Sequence, residues 1–155
     1  MLRFPYQDEP LNGQPPPSLP AIATVRWRPL VPVTIVGPTG KRRLFPLAVF
    51  DPGSDDTVLP LAVMGMVGVS LRPDTRHALR WRGQSYALRF GDVELELCDG
   101  PHVWRWSAAV GFSQAPLRYP ILGIGGCLEF FDARFLGESR FVELETNRSY
   151  PGMIL

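Results

Sequence analysis

Residues 45–60 constrain the fold most, because an apolar run leads directly into a turn that carries a carboxylate. The run ends at Phe50, and Asp51, Pro52 and Gly53 follow it. Proline fixes its own φ and glycine tolerates backbone conformations that other residues resist, so these residues predict a tight turn after a buried strand. Burial disfavours the charged form of a carboxyl group, and an acid at this position therefore predicts a functional role for Asp51.

The rest of the chain alternates apolar and polar residues in short runs that end at glycine or proline, a pattern typical of β-strands. Residues 31–36 and 41–50 predict a hairpin that leads into the turn, and residues 77–81 and 86–90 predict a second hairpin. Residues 92–97 alternate acids with apolar residues, so the acidic face of that strand is expected to be solvated. Further predicted elements are four strands and one short buried helix: residues 24–28, 102–110, 133–135, 141–145 and 61–69. Together they predict an all-β fold, a small closed β-barrel with one or two short helices.

Composition and charge exclude several classes of partner. At 155 residues and 45% hydrophobic content, the chain suits one domain with a substantial core. A net charge of +1 gives no electrostatic reason to expect nucleic acid or an anionic membrane surface. No long apolar segment or signal-peptide core stands in the sequence, which predicts a cytoplasmic protein without a membrane partner. Cys98 and Cys127 fit no metal-binding spacing and are expected to be reduced thiols, and no cofactor or metal is predicted.

The N-terminal residues differ from the remainder in composition. Residues 1–21 are rich in proline and polar residues, which predicts an extended, solvated tail or a strap lying on the domain. Phe4 and Tyr6 are the side chains that would anchor such a strap. A ligand for a proline-binding module is the alternative. Residues 22–155 are then expected to form the single domain.

Two motifs together resemble a known family. Residues 51–59 read DPGSDDTVL and resemble the catalytic loop of retropepsin-like aspartic proteases, which reads Asp-Thr/Ser-Gly-Ala/Ser and often continues Asp-Asp-Thr-Val. Residues 119–123 (YPILG), followed by residues 126–131 (GCLEFF), resemble the apolar-apolar-Gly segment that precedes a short helix in that family. The resemblance covers residues 22–146. It implies the single-domain barrel of the retropepsin-like type and the activity of an aspartic endopeptidase.

The implied chemistry requires two carboxylates. In an aspartic dyad one carboxylate acts as base and the other as acid across a shared water, and like charges so close cannot both ionise. The chain contains one Asp-x-Gly-Ser loop, so the resemblance implies a homodimer in which each subunit contributes Asp51. The substrate would be a protein or peptide. Residues 141–145 and 151–155 are the terminal segments expected to pair between the subunits.

The resemblance also assigns roles to neighbouring residues. Pro52, Gly53 and Ser54 would support the catalytic loop, with the Gly53 N–H and the Ser54 hydroxyl donating hydrogen bonds to Asp51. Residues 82–85 would form a flap, although an ordinary surface hairpin is the alternative. The implied substrate groove consists of acids, flap residues and the apolar-apolar-Gly segment: Asp55, Asp56, Trp81, Gly83, Tyr86, Ile121, Leu122 and Gly123.

Two positions depart from the family pattern. Pro52 stands where relatives have Thr or Ser, whose hydroxyl and N–H exchange hydrogen bonds between subunits, and proline has neither donor. Ile124 stands where many relatives have an Arg that pairs with the acid corresponding to Asp55. Two other functions therefore remain open. One is a catalytically silent dimer of the same fold that binds extended peptides as an added strand, and the other is a scaffold in which Asp51 only caps a turn.

Overall fold

The computed structural model describes residues 1–73 and 77–155, and the structure is mostly β, which confirms the predicted all-β class. The strands are β1 (Leu2–Pro5), β2 (Gln7–Pro10), β3 (Val25–Arg28), β4 (Leu30–Val36), β5 (Arg42–Phe50), β6 (Val58–Pro60), β7 (His77–Trp81), β8 (Gln84–Cys98), β9 (Val103–Ser113), β10 (Ile121–Leu122), β11 (Phe131–Leu136), β12 (Phe141–Thr146) and β13 (Met153–Ile154). The helices are α1 (Ala62–Val67) and a single 3-10 turn at Leu128–Phe130.

The main sheet is ring-like. Its strands follow the order β13-β9-β6-β10-β5-β4-β8-β7, and β8 also pairs with β9. This additional pairing returns the sheet to its start, so β9, β6, β10, β5, β4 and β8 form a continuous circuit of paired strands. The two longest strands close it, in antiparallel register from Leu88 opposite Ser113 to Cys98 opposite Val103. A separate three-stranded sheet has the order β1-β12-β11.

The predicted hairpins and the predicted helix are confirmed. Strands β4 and β5 pair antiparallel across the predicted turn, and β5 ends one residue before Asp51. The β7–β8 hairpin turns at Arg82 and Gly83, which both have positive φ (49° and 78°), as a two-residue turn with the twist of its strands requires. Strand β8 continues without a break through residues that the sequence assigned to two strands. Helix α1 ends at Gly68, whose φ of 72° is left-handed.

The first ten residues are more ordered than their composition predicts. Strand β1 pairs with β12, and Leu2 and Phe4 are 0% and 3% exposed in the core. Strand β2 pairs with β3. At this end of the chain, Met1, Tyr6 and residues 11–24 lack strand and helix. Apolar side chains at alternate positions of a short edge strand therefore outweigh the polar composition of the segment as a whole.

The core consists of two clusters of buried side chains. The larger one contains side chains of both the main sheet and the three-stranded sheet and includes Trp106 and Phe112, each 1% exposed. The smaller one, called here the groove cluster, consists of Val58, Leu88 and Ile121. Partly buried side chains of β7, among them Trp81, pack against the groove cluster. The β7–β8 hairpin is thereby attached to the strands that follow Asp51.

One expectation for β8 is wrong in part, because Asp92 is exposed as expected but Glu96 is buried. The acids of residues 92–97 were expected on a solvated face, but Glu96 is only 8% exposed. Its carboxylate accepts hydrogen bonds from Arg42 and Arg105, at 2.6 Å in both cases. The guanidinium groups of Arg105 on the adjacent strand β9 and of Arg42 on β5, two strands away, compensate the cost of burying this charge.

Within the described residues, no helix is both long enough and apolar enough to cross a membrane. Both cysteines are free, Cys98 exposed and Cys127 buried. Burial raises the pKa of the Cys127 thiol, with a smaller contribution from the charge of Glu129.

Candidate active site

Asp51 lies in a tight turn directly after β5. The turn is closed by a hydrogen bond of 3.0 Å from the Ser54 N–H to the Asp51 carbonyl oxygen. Pro52 occupies the first central position of the turn, which suits its fixed φ. The Gly53 N–H donates to Asp51 Oδ1 at 2.9 Å, which confirms the first of the two predicted hydrogen bonds to this carboxylate.

The requirement for glycine at position 53 differs from the predicted one. Gly53 does not adopt a left-handed φ, so conformational freedom is not the reason for it. A Cβ at this position would lie 3.1 Å from Asp51 Oδ1. The small residue therefore keeps space for the carboxylate that its own N–H binds.

The second predicted hydrogen bond to Asp51 is wrong. The Ser54 hydroxyl donates to the carbonyl oxygen of Asp56 at 2.8 Å instead of to the Asp51 carboxylate. The Ser54 side chain therefore bonds to the backbone of its own loop, where it stabilises the chain between Ser54 and Asp56.

The loop of residues 51–57, called here the Asp51 loop, is fixed by a second segment. Strand β10 lies between β5, to which it is parallel, and β6, to which it is antiparallel. The Asp51 N–H donates to the Leu122 carbonyl oxygen at 3.0 Å, and the Ile124 N–H donates to the Ser54 carbonyl oxygen at 2.9 Å. The Asp51 loop therefore pairs along its length with residues 121–126, the glycine segment.

Gly123 is the closest contact between the two segments. An added Cβ there would overlap the carbonyl oxygen of Asp56 and lie 2.6 Å from its carbonyl carbon. The Gly123 N–H donates to Thr57 Oγ1 at 3.3 Å, and Thr57 is 0% exposed. Trp106 Nε1 donates to the Gly126 carbonyl oxygen at 2.8 Å, which joins the glycine segment to the main core. Backbone packing thus positions the acid.

Asp51 borders two cavities beneath the β7–β8 hairpin. The first, called here the acidic cavity, has a volume of about 400 Å³. It lies between the acids Asp51, Asp55 and Asp56 and the β7 residues Leu79, Arg80 and Trp81. The second, called here the arginine cavity, has a volume of about 240 Å³. Its lining includes Asp51, Trp81, Tyr119, Arg28, Arg82 and Arg118.

The structure brings only part of the predicted groove together. Trp81 and Ile121 line both cavities, and Asp55 and Asp56 line the acidic one. Leu122 is 0% exposed, and its backbone carbonyl accepts the Asp51 N–H. Gly123 contributes by packing closely against the Asp56 backbone. The remaining two predicted residues belong to the outer part of the hairpin: Gly83 is exposed at its tip, and the Tyr86 hydroxyl donates to Gln84 Oε1 at 2.8 Å.

Among the acids of the acidic cavity, Asp56 has a shifted pKa. Burial raises the pKa of Asp56, and the charge of neighbouring Asp55 raises it further, while His77 lowers it in part.

Trp81 has a buried indole Nε1 that finds no hydrogen-bond partner among the described residues. The hairpin is therefore held over the acids by apolar packing and not by this polar group.

The arginine cavity was missed by sequence reasoning. Arg28 and Arg118 both pair with Glu9, which is 9% exposed and belongs to the N-terminal strand β2. Burial alone would raise the pKa of Glu9, but the hydrogen bond and charge of Arg28 and the charge of Arg118 outweigh it, so the pKa is lowered. The alternating pattern of residues 24–28 was visible, but its pairing with residues 7–10 was not.

Within residues 1–73 and 77–155, no group of three or more His, Cys, Asp or Glu side chains is arranged to hold a metal ion. Comparison with known proteins adds no family: no protein-family model, no curated protein and no solved structure matches the chain.

Proposed function

We propose that the chain is an aspartic endopeptidase of the retropepsin-like type, active as a homodimer with Asp51 of each subunit in the dyad. The observation that carries this proposal is the placement of Asp51. Its carboxylate accepts the Gly53 N–H, its backbone is fixed by the glycine segment, and it borders a groove under a hairpin. A rigid carboxylate at the floor of a covered groove has the placement that general acid–base hydrolysis needs.

The reaction follows from two such carboxylates sharing one proton. The ionised Asp51 takes a proton from a water molecule as the water oxygen bonds to the peptide carbonyl carbon. The protonated Asp51 of the second subunit donates its proton to the carbonyl oxygen. As the resulting tetrahedral diol collapses, the ionised Asp51 of the second subunit takes a proton from one hydroxyl and the C=O bond re-forms. The C–N bond breaks as the first Asp51 donates its proton to the nitrogen, which restores one ionised and one protonated carboxyl group. The proximity of the two acids keeps one of them protonated.

Exposed surfaces support the dimer. Pro52 and Gly53 are exposed at the tip of the Asp51 loop, where a second copy would meet the first. Strand β13 lies at one edge of the main sheet, and Met153, Ile154 and Leu155 are 58%, 61% and 61% exposed. An apolar strand at a sheet edge is a template for pairing with another chain. Residues 141–145, the other segment expected to pair between subunits, lie in β12, which β1 and β11 already pair on both sides. Because proline cannot form the hydrogen bonds of the usual Thr or Ser, β13 would carry much of the interface.

The β7–β8 hairpin would act as the flap. Its Trp81 borders both cavities next to Asp51, so the hairpin covers the position where the scissile bond would lie. Its tip at Arg82 and Gly83 is exposed, and no atom approaches within 4 Å of a Cβ built on Gly83. A cover of this kind excludes water and orients the substrate once it is bound.

Cleavage of unfolded protein tests the activity. Purified protein incubated with a denatured substrate across acid to neutral pH should produce peptides with a bell-shaped pH–rate profile. Asp51→Asn should abolish cleavage, whereas Asp132→Asn, which removes an exposed acid on β11, should not. Sedimentation should show a dimer. A strict monomer, or cleavage that survives Asp51→Asn, would contradict the proposal.

A second candidate is a catalytically silent dimer that binds extended peptides, and Pro52 is the observation that favours it. The residue beside the candidate catalytic acid lacks both donors that normally stabilise the paired loops. Stable peptide binding in the absence of cleavage, unchanged by Asp51→Asn, would identify this function.

A further inference from the structure

We infer that the arginine cavity is a carboxylate-binding subsite, which selects peptides with an acidic side chain next to the bond that is cleaved. This inference rests on the proposed function, because it names the substrate class of the same groove. The observation behind it is the concentration of three arginines beside Asp51, with few acids to balance them.

The charges of this cavity do not cancel. Arg28 donates to Glu9 Oε2 at 3.0 Å, and Arg118 pairs with the other oxygen of the same carboxylate. Arg82 lies over the ring of Trp81, 5.8 Å from its centroid. Three guanidinium groups thus line a cavity whose lining includes one acid, Asp51. Glu9 lies outside that lining and pairs with both Arg28 and Arg118.

The arginines keep donors for a ligand. Each guanidinium carries five N–H donors in a planar fork that suits a carboxylate. The side chain of Arg118 is 67% exposed and that of Arg28 is 32% exposed, so Glu9 does not enclose either of them. Both guanidinium groups also lie near the Tyr119 ring, at 5.7 Å and 5.3 Å from its centroid, which restricts their orientation.

The size and position of the cavity indicate which part of a substrate it takes. A volume of about 240 Å³ lies below the range of about 300–1,000 Å³ typical of small-molecule sites, and suits one side chain. The cavity shares Asp51, Trp81 and Ile121 with the acidic cavity, so its occupant lies beside the reacting bond. A homodimer repeats the cavity, so an acidic residue on either side of the scissile bond would find it.

The two cavities differ in charge, so each favours a different kind of side chain in a bound peptide. Asp55 and Asp56 border the acidic cavity, and they would repel an acidic side chain placed there. A peptide with its acid in the arginine cavity avoids this repulsion. Selection therefore combines attraction on one side of Asp51 with repulsion on the other.

Binding to an inactive variant tests the subsite without requiring turnover. The probes are two labelled peptide mixtures with randomised flanking residues, one with a fixed central Glu and the other with Gln. In the Asp51→Asn variant, fluorescence anisotropy should show about tenfold tighter binding of the Glu mixture, the effect of one charge-assisted hydrogen bond. The preference should largely disappear at about 1 M salt, where the screening length is about 3 Å.

Three further variants, each made in the Asp51→Asn background, test whether the preference for Glu changes in the expected direction. Arg118→Gln and Arg82→Gln should each reduce the preference for Glu, and Glu9→Gln should increase it by removing the internal competitor. Arg43→Gln, which removes an exposed arginine of β5 that lines neither cavity, is the matched control and should leave the preference unchanged. Equal binding of the two mixtures, binding of neither, or a preference insensitive to Arg118 and Arg82 would overturn the inference.

The outcome is separable from that of the proposed function. Asp51-dependent cleavage without a preference for Glu would refute the subsite and leave the peptidase in place. A preference for Glu that depends on Arg118, in a protein that cleaves nothing, would support the subsite and refute the peptidase.

Discussion

The Asp51 loop and the tip of the β7–β8 hairpin face the same groove but are held in different ways. Four backbone hydrogen bonds of 2.8–3.0 Å tie the Asp51 loop to the glycine segment, and the contact at Gly123 leaves no space for a methyl group. The hairpin tip is exposed, and side-chain packing of Trp81 on the groove cluster attaches its base. The acid is therefore fixed by backbone hydrogen bonds to a second segment, whereas the hairpin extends beyond the last β8–β9 pair at Leu88 and rests on the groove cluster through its side chains. Substitutions in the two regions should differ accordingly.

The largest effect is expected for Gly123→Ala. The new methyl group would overlap the Asp56 carbonyl, and backbone on both sides would have to move, so the free energy of unfolding should fall by about 3 kcal/mol or more. Urea denaturation measures it. Gly65→Ala is the matched control, because Gly65 lies in α1 with no atom within 4 Å of an added Cβ. That variant should gain about 0.5–1 kcal/mol from helix propensity. Equal effects of the two would contradict the close approach at Gly123.

A smaller loss is expected for Thr57→Val. The substitution keeps the shape of a side chain that is 0% exposed but removes the acceptor of the Gly123 N–H. A buried donor left without a partner should lower the free energy of unfolding by about 1–3 kcal/mol. Urea denaturation of Thr57→Ser, which retains the hydroxyl, separates this effect from the loss of packing. If Thr57→Ser were as unstable as Thr57→Val, the hydrogen bond would not be the cause.

Asp56, which borders the acidic cavity, should make the free energy of unfolding depend on pH. The pKa of Asp56 is raised in the folded protein, so the folded protein binds the Asp56 proton more tightly than the unfolded chain does. This stabilisation is present at acid pH and is lost as the pH rises through the folded pKa. Asp56→Asn should therefore stabilise the protein at neutral pH by less than Thr57→Val destabilises it, and the gain should shrink towards acid pH.

Unfolding measured at neutral and acid pH tests this prediction. The exposed Asp132→Asn on β11 serves as the control and should show no such trend. A gain for Asp56→Asn that grew as the pH fell would have the opposite sign to the one expected.

The smallest effect is expected at the hairpin. Trp81→Phe removes a buried indole N–H that has no partner among the described residues and keeps most of the ring that packs on the groove cluster. Loss of an unsatisfied donor offsets the loss of apolar contact, so the free energy of unfolding should change by less than about 1 kcal/mol. The contrast with Thr57→Val is the test, because that buried hydroxyl is satisfied. A loss as large as that of Thr57→Val would show that the indole N–H is bonded in solution.

Local sequence signals predicted much of the loop and little of the groove. The β4–β5 hairpin and the hydrogen bond from Gly53 to Asp51 follow from apolar alternation and turn residues, which act over a few positions. The partner of the Ser54 hydroxyl was not predictable in the same way, because a serine in a turn can donate either to a side chain or to a backbone carbonyl, and packing decides between them.

Prediction of the arginine cavity and of the burial of Glu96 would have required knowledge of the strand pairing. Arg28 and Glu9 meet because β2 pairs with β3, although 19 positions separate the two residues in the sequence. Glu96 is compensated by Arg42 from 54 positions away. An alternating pattern shows which residues share a face, but it does not show which other strand covers that face.

Mixing of subunits tests the central claim, that two Asp51 carboxylates from different chains form one catalytic centre. Wild-type chains are mixed with Asp51→Asn chains at constant total concentration, after sedimentation has shown that the variant dimerises and that subunits exchange. If both carboxylates are needed, activity follows the square of the wild-type fraction, and an equal mixture keeps about one quarter of the activity. A linear dependence, with about one half of the activity in the equal mixture, would mean that each Asp51 works alone and would contradict the account.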